Sequence, residues 1–232
     1  MRPEDLPKIR ELPLFESMNE KNFEALTNAA YLQHFPPQVE LIHEGDPADF
    51  LYIVVEGAIE LFTKANGREA SMAIVRPVGT FILAAVLKDA VYLMSARTTT
   101  KSRVLMVPSE NIRSVFEHDD AFARAIVVEL ASCYRSVIKD SKGLKLRTGV
   151  ERLANRLIRF HKDQNANGSI ELPYDKRTLA SLLGMTPENL SRAFNTLKPY
   201  GVRVRGPEIY LEDLPSLEAM AKVNPLIDDR LI

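Results

Sequence analysis

The stretch "LGMTPENLSRAFNTL", residues 183–197, holds a helix stop followed at once by a helix start. Gly184 can adopt the left-handed conformation that ends a helix. Thr186 is a good N-cap, Pro187 a good first helical residue, and Glu188 suits the positive end of the helix dipole. Beyond them, Leu190, Phe194 and Leu197 share one face at helical spacing, while Glu188, Ser191, Arg192 and Asn195 share the other. Taken alone, Glu188 and Arg192 read as an exposed i,i+4 ion pair, worth about 0.2–0.5 kcal/mol.

The flanking segments alter that reading. "DKRTLASLLG", residues 175–184, is a short helix with Leu179, Leu182 and Leu183 turned inward. Before it, a helix from about 146 to 162 carries Val150, Leu153, Leu157 and Phe160 on one side, and "SIELPY" is a short strand. After the quoted stretch, "VRVRGPEIYLED" is a hairpin turning at Gly206-Pro207, and "DLPSLEAMA" is a final short helix. Helix, glycine turn, helix and hairpin make a winged helix-turn-helix, which places its second helix in the DNA major groove. Glu188, Ser191 and Arg192 would then face base edges. Arg bonds guanine O6 and N7 together, Glu accepts from cytosine N4, and Ser serves either way. Thr186, Lys176, Arg177, Asn195, Arg203 and Arg205 fall where phosphate contacts are useful.

Charge is distributed to match. The 232 residues carry a net charge of −1, but residues 1–143 hold 16 Lys and Arg against 20 Asp and Glu. Residues 144–206 hold 12 against 5, and residues 207–232 hold 2 against 6. A basic block between acidic ones is the pattern of a chain that meets a polyanion with one part, although a charged exposed helix at 145–162 would give the same count.

Residues 8–30 have helical spacing in Leu12, Phe15, Phe23, Leu26 and Ala30. From 31 to 107 the texture is of short β-rich runs: "DFLYIVVEG", "AIELFTK" and "EASMAIV" are strands, and "EGDPAD" and "ANGRE" are tight turns. Such spacing makes a sandwich or a β-roll. "PSENIRSVFEHD" is again helical, and a longer helix over 119–143 is capped by Asp119. Its apolar residues form two stripes. Ala123, Ile126, Leu130, Cys133 and Val137 step like a coiled-coil seam; Val127, Ala131, Tyr134 and Ile138 lie alongside. One stripe serves the helix's own domain, so the other implies a second copy, and the seam is assigned to the dimer. "SKG" at 141–143 reads as a hinge. The class is α+β: a β-roll sensor over 1–118, a dimerisation helix and hinge over 119–143, and a winged helix-turn-helix over 144–232.

Hydrophobic content of 46% is ample for packed cores, and "FILAAVL" is far too short to span a bilayer. Together with the absence of a secretory h-region this reads as a cytoplasmic protein with no membrane partner. The single Cys133 excludes an internal disulfide framework and a multi-cysteine metal site. No Gly-rich phosphate loop, nucleophile elbow or paired His supports an enzyme.

On these residues the chain resembles the CRP/FNR family of bacterial transcription regulators, over nearly its whole length. "IHEGDPADFLYIVVEGAIELF", residues 42–62, is similar to the family's cyclic-nucleotide-binding-like β-roll, with turn glycines at Gly45 and Gly57. "LGMTPENLSRAFNTLKPYGV" is similar to its recognition segment. The resemblance implies a homodimer on palindromic double-stranded DNA, with RNA polymerase as a further partner. The Glu-x-x-Ser-Arg pattern of Glu188, Ser191 and Arg192 resembles the FNR branch, whereas the CRP branch has Arg-Glu-x-x-Gly-Arg. That implies TTGAT-type half-sites, with Glu188 and Arg192 on the G·C-containing core and Ser191 on the adjacent T.

The resemblance also sets expectations for the sensor. Family cAMP receptors hold the ribose with Glu after Gly and the phosphate with Arg-Ser. In "GTFILAAVLKDAVYLMSA", Leu83 and Ala84 replace the Gly-Glu pair and Met94 stands before Ser95 in place of Arg. Val137 and Ile138 replace the hydroxyls offered to adenine, so the resemblance argues against cAMP, although Arg97, on the same strand face as Ser95, could compensate. Cys133 alone cannot hold the iron–sulfur cluster of FNR itself. "TFILAAVL" is more similar to the nitric-oxide-responsive haem branch, the dissimilatory nitrate respiration regulators, which would make haem a candidate cofactor. His34, His43, His118 and His161 have no distinctive ligand spacing. The alternatives are a pocket filled by Leu83, Val86 and Met94 in an effector-independent regulator, and a cyclic-nucleotide-binding regulatory protein of the CRP branch.

Overall fold

The computed structural model describes residues 3–206 and 208–229. After a 3-10 turn at Pro3–Asp5 come α1 (Leu6–Arg10), α2 (Glu20–Ala29), β1 (Tyr31–Phe35), β2 (Glu40–Ile42), β3 (Phe50–Glu56), β4 (Ile59–Ala65) and β5 (Arg68–Val75). They are followed by β6 (Thr80–Phe81), α3 (Leu83–Lys88), β7 (Ser95–Thr98), β8 (Ser102–Pro108), α4 (Ser109–His118) and α5 (Asp120–Leu146). The remainder is α6 (Gly149–Asp163), β9 (Ser169–Glu171), α7 (Lys176–Leu182), α8 (Pro187–Leu197), β10 (Val202–Arg205), β11 (Glu208–Leu211), α9 (Leu214–Ala221) and α10 (Pro225–Asp228). The chain divides into two compact units, Met1–Cys133 and Tyr134–Ile232.

In the first unit, eight antiparallel strands form two sheets, β1-β8-β3-β6 and β2-β7-β4-β5. Leu51, Ile53, Ile59, Leu61, Ala96, Val104 and Leu105 are buried in one core with Phe122 and Ile126 of α5. The β3–β4 turn depends on Gly57, at φ +89°: a Cβ there would lie 2.5 Å from the Lys101 carbonyl oxygen. Only glycine lets the turn pass that backbone.

The continuous helix read over 8–30 is interrupted. α1 ends at Arg10, turns occupy 11–18, and α2 restarts after Asn19, whose side chain accepts from the Lys21 amide. Pro13 lacks the amide that a helix would need, and Asn19 offers a fresh cap. The apolar residues keep their role, since Leu12, Phe15 and Met18 are buried and Phe15 stacks on Phe122 at 6.2 Å.

Asp119 caps α5 by accepting from the Ala121 and Phe122 amides, at 3.1 and 3.0 Å. Its second oxygen accepts from the Asn19 amide and from Asn22 Nδ2, at 2.8 and 3.0 Å. Burial pushes this carboxyl up, but Asn22 and the three amides hold it below the usual range. One side chain thus starts α5 and ties α2 to it.

Two assignments on α5 change. Ile126 is completely buried in the core and Leu130 packs against it, so neither is free for a dimer seam. The bare row is the other stripe, Val127, Ala131, Tyr134 and Ile138, joined by Val128, Cys133 and Val137. Nor does the helix break at "SKG": it runs unbroken through Ser141, Lys142 and Gly143 to Leu146. A single exposed Gly costs a helix only about 1 kcal/mol, and nothing here stops the next turn from forming. The break falls at Arg147, before Thr148, which caps α6.

In the second unit, α6, α7, α8 and α9 surround Leu153, Leu157, Leu179, Leu190, Leu197 and Leu217, beside the sheet β10-β11-β9. α6 opens with a capping box: Thr148 and Glu151 each satisfy the other's amide. Of the turn read at Gly206-Pro207, Gly206 has φ +62°, and Pro207 lies outside the described residues.

Two outcomes follow from this packing. Ile126→Ala should cost about 2–5 kcal/mol in urea unfolding, the range for a buried aliphatic cut to Ala, and a cost under 1 kcal/mol would contradict its place in the core. Lys222 and the Thr148 amide hold Glu151 at about 2, against an ordinary 4.5. Its contribution is therefore present above about pH 4.5 and is lost as pH falls through 2. Glu151→Gln should cost about 1 kcal/mol at pH 7, with the difference from wild type closing as pH approaches 2.

Candidate nucleic-acid interface

The turn between α7 and α8 is built from both sides. Asp175 caps α7 by accepting from the Thr178 amide at 2.7 Å, and Leu179 and Ala180 turn inward. Gly184 follows at φ +61°, where a Cβ would meet Leu144 Cδ2 at 2.8 Å. Thr186 Oγ1 then accepts from the Asn189 amide at 3.3 Å and Pro187 opens α8. Leu190, Ala193, Phe194 and Leu197 are buried, while Glu188, Asn189, Ser191, Arg192 and Asn195 are exposed on the opposite face. The stretch 183–197 thus folds as its cap signals require.

The three residues expected to read bases, Glu188, Ser191 and Arg192, are exposed on one face of α8. Among the described residues no ion pair within 4 Å joins Glu188 to Arg192, although the Arg192 charge still acts on the Glu188 carboxyl. Glu188's own amide, then the Thr186 hydroxyl and the Arg192 charge, hold its carboxyl below the ordinary range. It is an ionised acceptor at neutral pH, suited to a cytosine amino group. Ser191 Oγ donates back to the Pro187 carbonyl at 3.0 Å, which leaves its lone pairs available.

The residues expected to contact phosphate lie on α7, on α8 and its N-cap, and on β10. Lys176 and Arg177 are exposed at the start of α7, with Lys176 Nζ 6.0 Å from the Phe194 ring centre. Arg203 and Arg205 lie on one face of β10; Arg203 Nε is 3.3 Å from Glu212 Oε2 and Arg205 rests over the Tyr210 ring at 5.1 Å. Arg203 therefore meets a phosphate only in competition with an exposed carboxylate, a weak hold.

Sequence reasoning missed Arg152. Its Nε donates to the Leu183 carbonyl at 2.8 Å, Nη1 to the Arg147 carbonyl at 2.7 Å, and Nη2 to the Gly184 carbonyl at 3.5 Å. Two of the three partners are backbone atoms some thirty residues away in the chain, which no local pattern announces.

The residues expected to line an effector pocket differ in their surroundings. Leu83 is buried in the core, while Ala84 points outward from α3. Ser95 and Arg97 alternate with Ala96, and it is Ala96 that enters the core. Ser95 Oγ accepts from the Glu44 amide at 3.0 Å. Arg97 donates to Glu60 and Glu69, both at 2.8 Å, and covers the Phe62 ring at 4.3 Å. Met94 is half-buried against the core, and Val137 and Ile138 are exposed on the part of α5 that belongs to the other unit. Arg97, read as able to compensate for the missing phosphate ligand, has its guanidinium on two carboxylates.

Comparison with known proteins agrees with this geometry. Residues 32–119 match the cyclic nucleotide-binding domain family, and residues 151–220 match the Crp-like helix-turn-helix domain family. The CRP-like cAMP-activated global transcriptional regulator of Mycobacterium tuberculosis is 22% identical over 215 residues, 90% of this chain and 96% of that protein. A regulatory protein of Silicibacter pomeroyi DSS-3, provisionally described as cAMP-binding, is 28% identical over 96% of this chain and all of its own, with a TM-score of 0.61. FixK2 of Bradyrhizobium japonicum shares the fold at a TM-score of 0.72 and 23% identity, over 84% of this chain and 98% of its own. A β-rich nucleotide-binding-type domain, a long helix and a winged helix-turn-helix with an exposed polar reading face make the chain a DNA-binding transcription regulator of the CRP/FNR family.

Proposed function

We propose that two copies of this chain, paired through the bare row of α5, read a palindrome of TTGAT-type half-sites in the cytoplasm, and that cAMP is not their signal. The observation that carries the operator is the exposed face of α8, where Glu188, Ser191 and Arg192 stand together with the FNR-type pattern. Regulators of this family act as dimers, and Val127, Ala131, Tyr134 and Ile138 supply an apolar face for it. RNA polymerase is the partner such a complex would address.

The case against cAMP is electrostatic. A buried phosphate needs a cation, and Arg97 is held by Glu60 and Glu69. Haem also fits poorly. His34 is exposed on β1, His43 pairs with Glu40 at 3.1 Å and His118 bonds the Ser114 carbonyl at 2.7 Å, so none of the sensor's histidines faces the core. Leu83, Val86 and Met94 pack with the core instead, which favours a sensor filled by its own side chains.

A mobility-shift assay on the palindrome at two salt concentrations tests the operator. Specific binding should survive competitor DNA and weaken steeply with salt. Arg192→Ala should abolish discrimination at about 1–3 kcal/mol per half-site, whereas unchanged binding by the variant would refute the assignment. Millimolar cAMP should alter neither the affinity nor the melting temperature; a rise in both would restore the cyclic-nucleotide reading.

A further inference from the structure

The joint between α5 and α6 is a single short stretch, Arg147-Thr148, and the C-terminal segment of the same unit closes over it. Arg147 directs Nη1 and Nη2 onto the two oxygens of Asp228, both at 2.6 Å, and Nη2 also reaches the Lys222 carbonyl at 3.3 Å. The Arg147 side chain is only 8% exposed. Asp228 Oδ2 accepts in addition from the Asn224 amide at 2.7 Å. Lys139 Nζ, on α5, donates to the Asp229 carbonyl at 2.5 Å, and Lys222 Nζ lies 2.7 Å from Glu151, the capping residue of α6. Segment 222–229 is therefore bonded to the end of α5, to the joint and to the start of α6. A two-pronged guanidinium–carboxylate pair fixes orientation as well as distance.

The network continues on the other side of the joint. The Arg147 carbonyl accepts from Arg152, whose remaining donors hold the Leu183 and Gly184 carbonyls. Leu144, one turn before Arg147, fills the space beside Gly184. Arg147 and residues 222–229 fall outside both matched domain families, 32–119 and 151–220.

We propose that segment 222–229 is a strap that positions the recognition helix. By holding Arg147 it fixes the carbonyl on which Arg152 bears, and Arg152 fixes the turn from which α8 departs. Arg147, Arg152 and Asp228 are positioning residues, and the proposal rests on the reading of α8 as the base-reading helix.

The test uses the full chain and duplexes enriched by the wild-type protein from a random-sequence pool, so that it does not depend on any assumed operator. The measured quantity is the ratio of affinities for the enriched and a scrambled duplex at fixed salt. Asp228→Asn and Arg147→Gln should each lower that ratio about fivefold, a size common for coupling through a packed network. The double variant should lose no more than either, because both remove one contact. Arg147→Lys, which keeps the charge but not the fork, should fall between them and wild type, and it serves if the harsher variants do not fold. Glu171→Gln, which removes an equal charge elsewhere in the unit, should shift both affinities alike and leave the ratio unchanged. Ratios within twofold of wild type in every strap variant, whatever their melting temperatures, would overturn the strap. If Arg192→Ala loses the ratio while Asp228→Asn keeps it, the strap alone falls. If Arg192→Ala keeps it while Asp228→Asn loses it, the reading of α8 falls, and the strap acts on another surface.

Discussion

Phe122 and Ile126 fix the rotation of α5, and the use of every other residue on that helix follows from it. Both are wholly buried in the core of the β-roll, beside Phe15 and against the sheets. Asp119 sets where the helix begins and the two apolar side chains set which way it faces. With 3.6 residues per turn, burying Ile126 turns Val127, Ala131, Tyr134 and Ile138 outward together. Tyr134 is 68% exposed, an unusual position for a large aromatic unless a partner covers it.

That constraint explains what the sequence could and could not show about the helix. Both stripes were legible as apolar rows at helical spacing. Which of them belonged to the sensor was not, because the decision rests on contacts with Phe15 and the sheets, which lie far away in the chain. The same limit applies to "SKG". Small and polar residues resemble a breaker, but the next helix begins only where Thr148 and Glu151 satisfy its first amides, five residues later. The winged helix was legible in detail because its signals are local: a left-handed Gly184, a capping Thr186, Pro187, and inward leucines at fixed intervals. Arg152 was not legible, since its three acceptors are backbone carbonyls.

The effector pocket was the least legible feature, for a different reason. Its residues were matched to family positions rather than derived from geometry. Here Ile82, at φ +70°, turns the chain into α3, which sends Leu83 into the core and Ala84 outward. On β7 the period of two then parts Ala96 from Ser95 and Arg97.

The ion pairs of Arg97 bear on any anion entering the sensor. Glu60 is 3% exposed and accepts from Ser71 as well as from Arg97. A phosphate that recruited Arg97 would leave Glu60 buried with a hydroxyl as its sole compensation. A charge stripped of its partner in that way costs more than a pair at the surface gains, on the order of 3–5 kcal/mol. Glu69, already bound to the same guanidinium, would be released at the same time. An anionic ligand must therefore outbid two carboxylates that are covalently tethered to the site and are present at every moment. An uncharged ligand faces no such competition. An anion that took Arg97 would rearrange these ion pairs, and a ligand acts as a signal only when it binds one arrangement better than another.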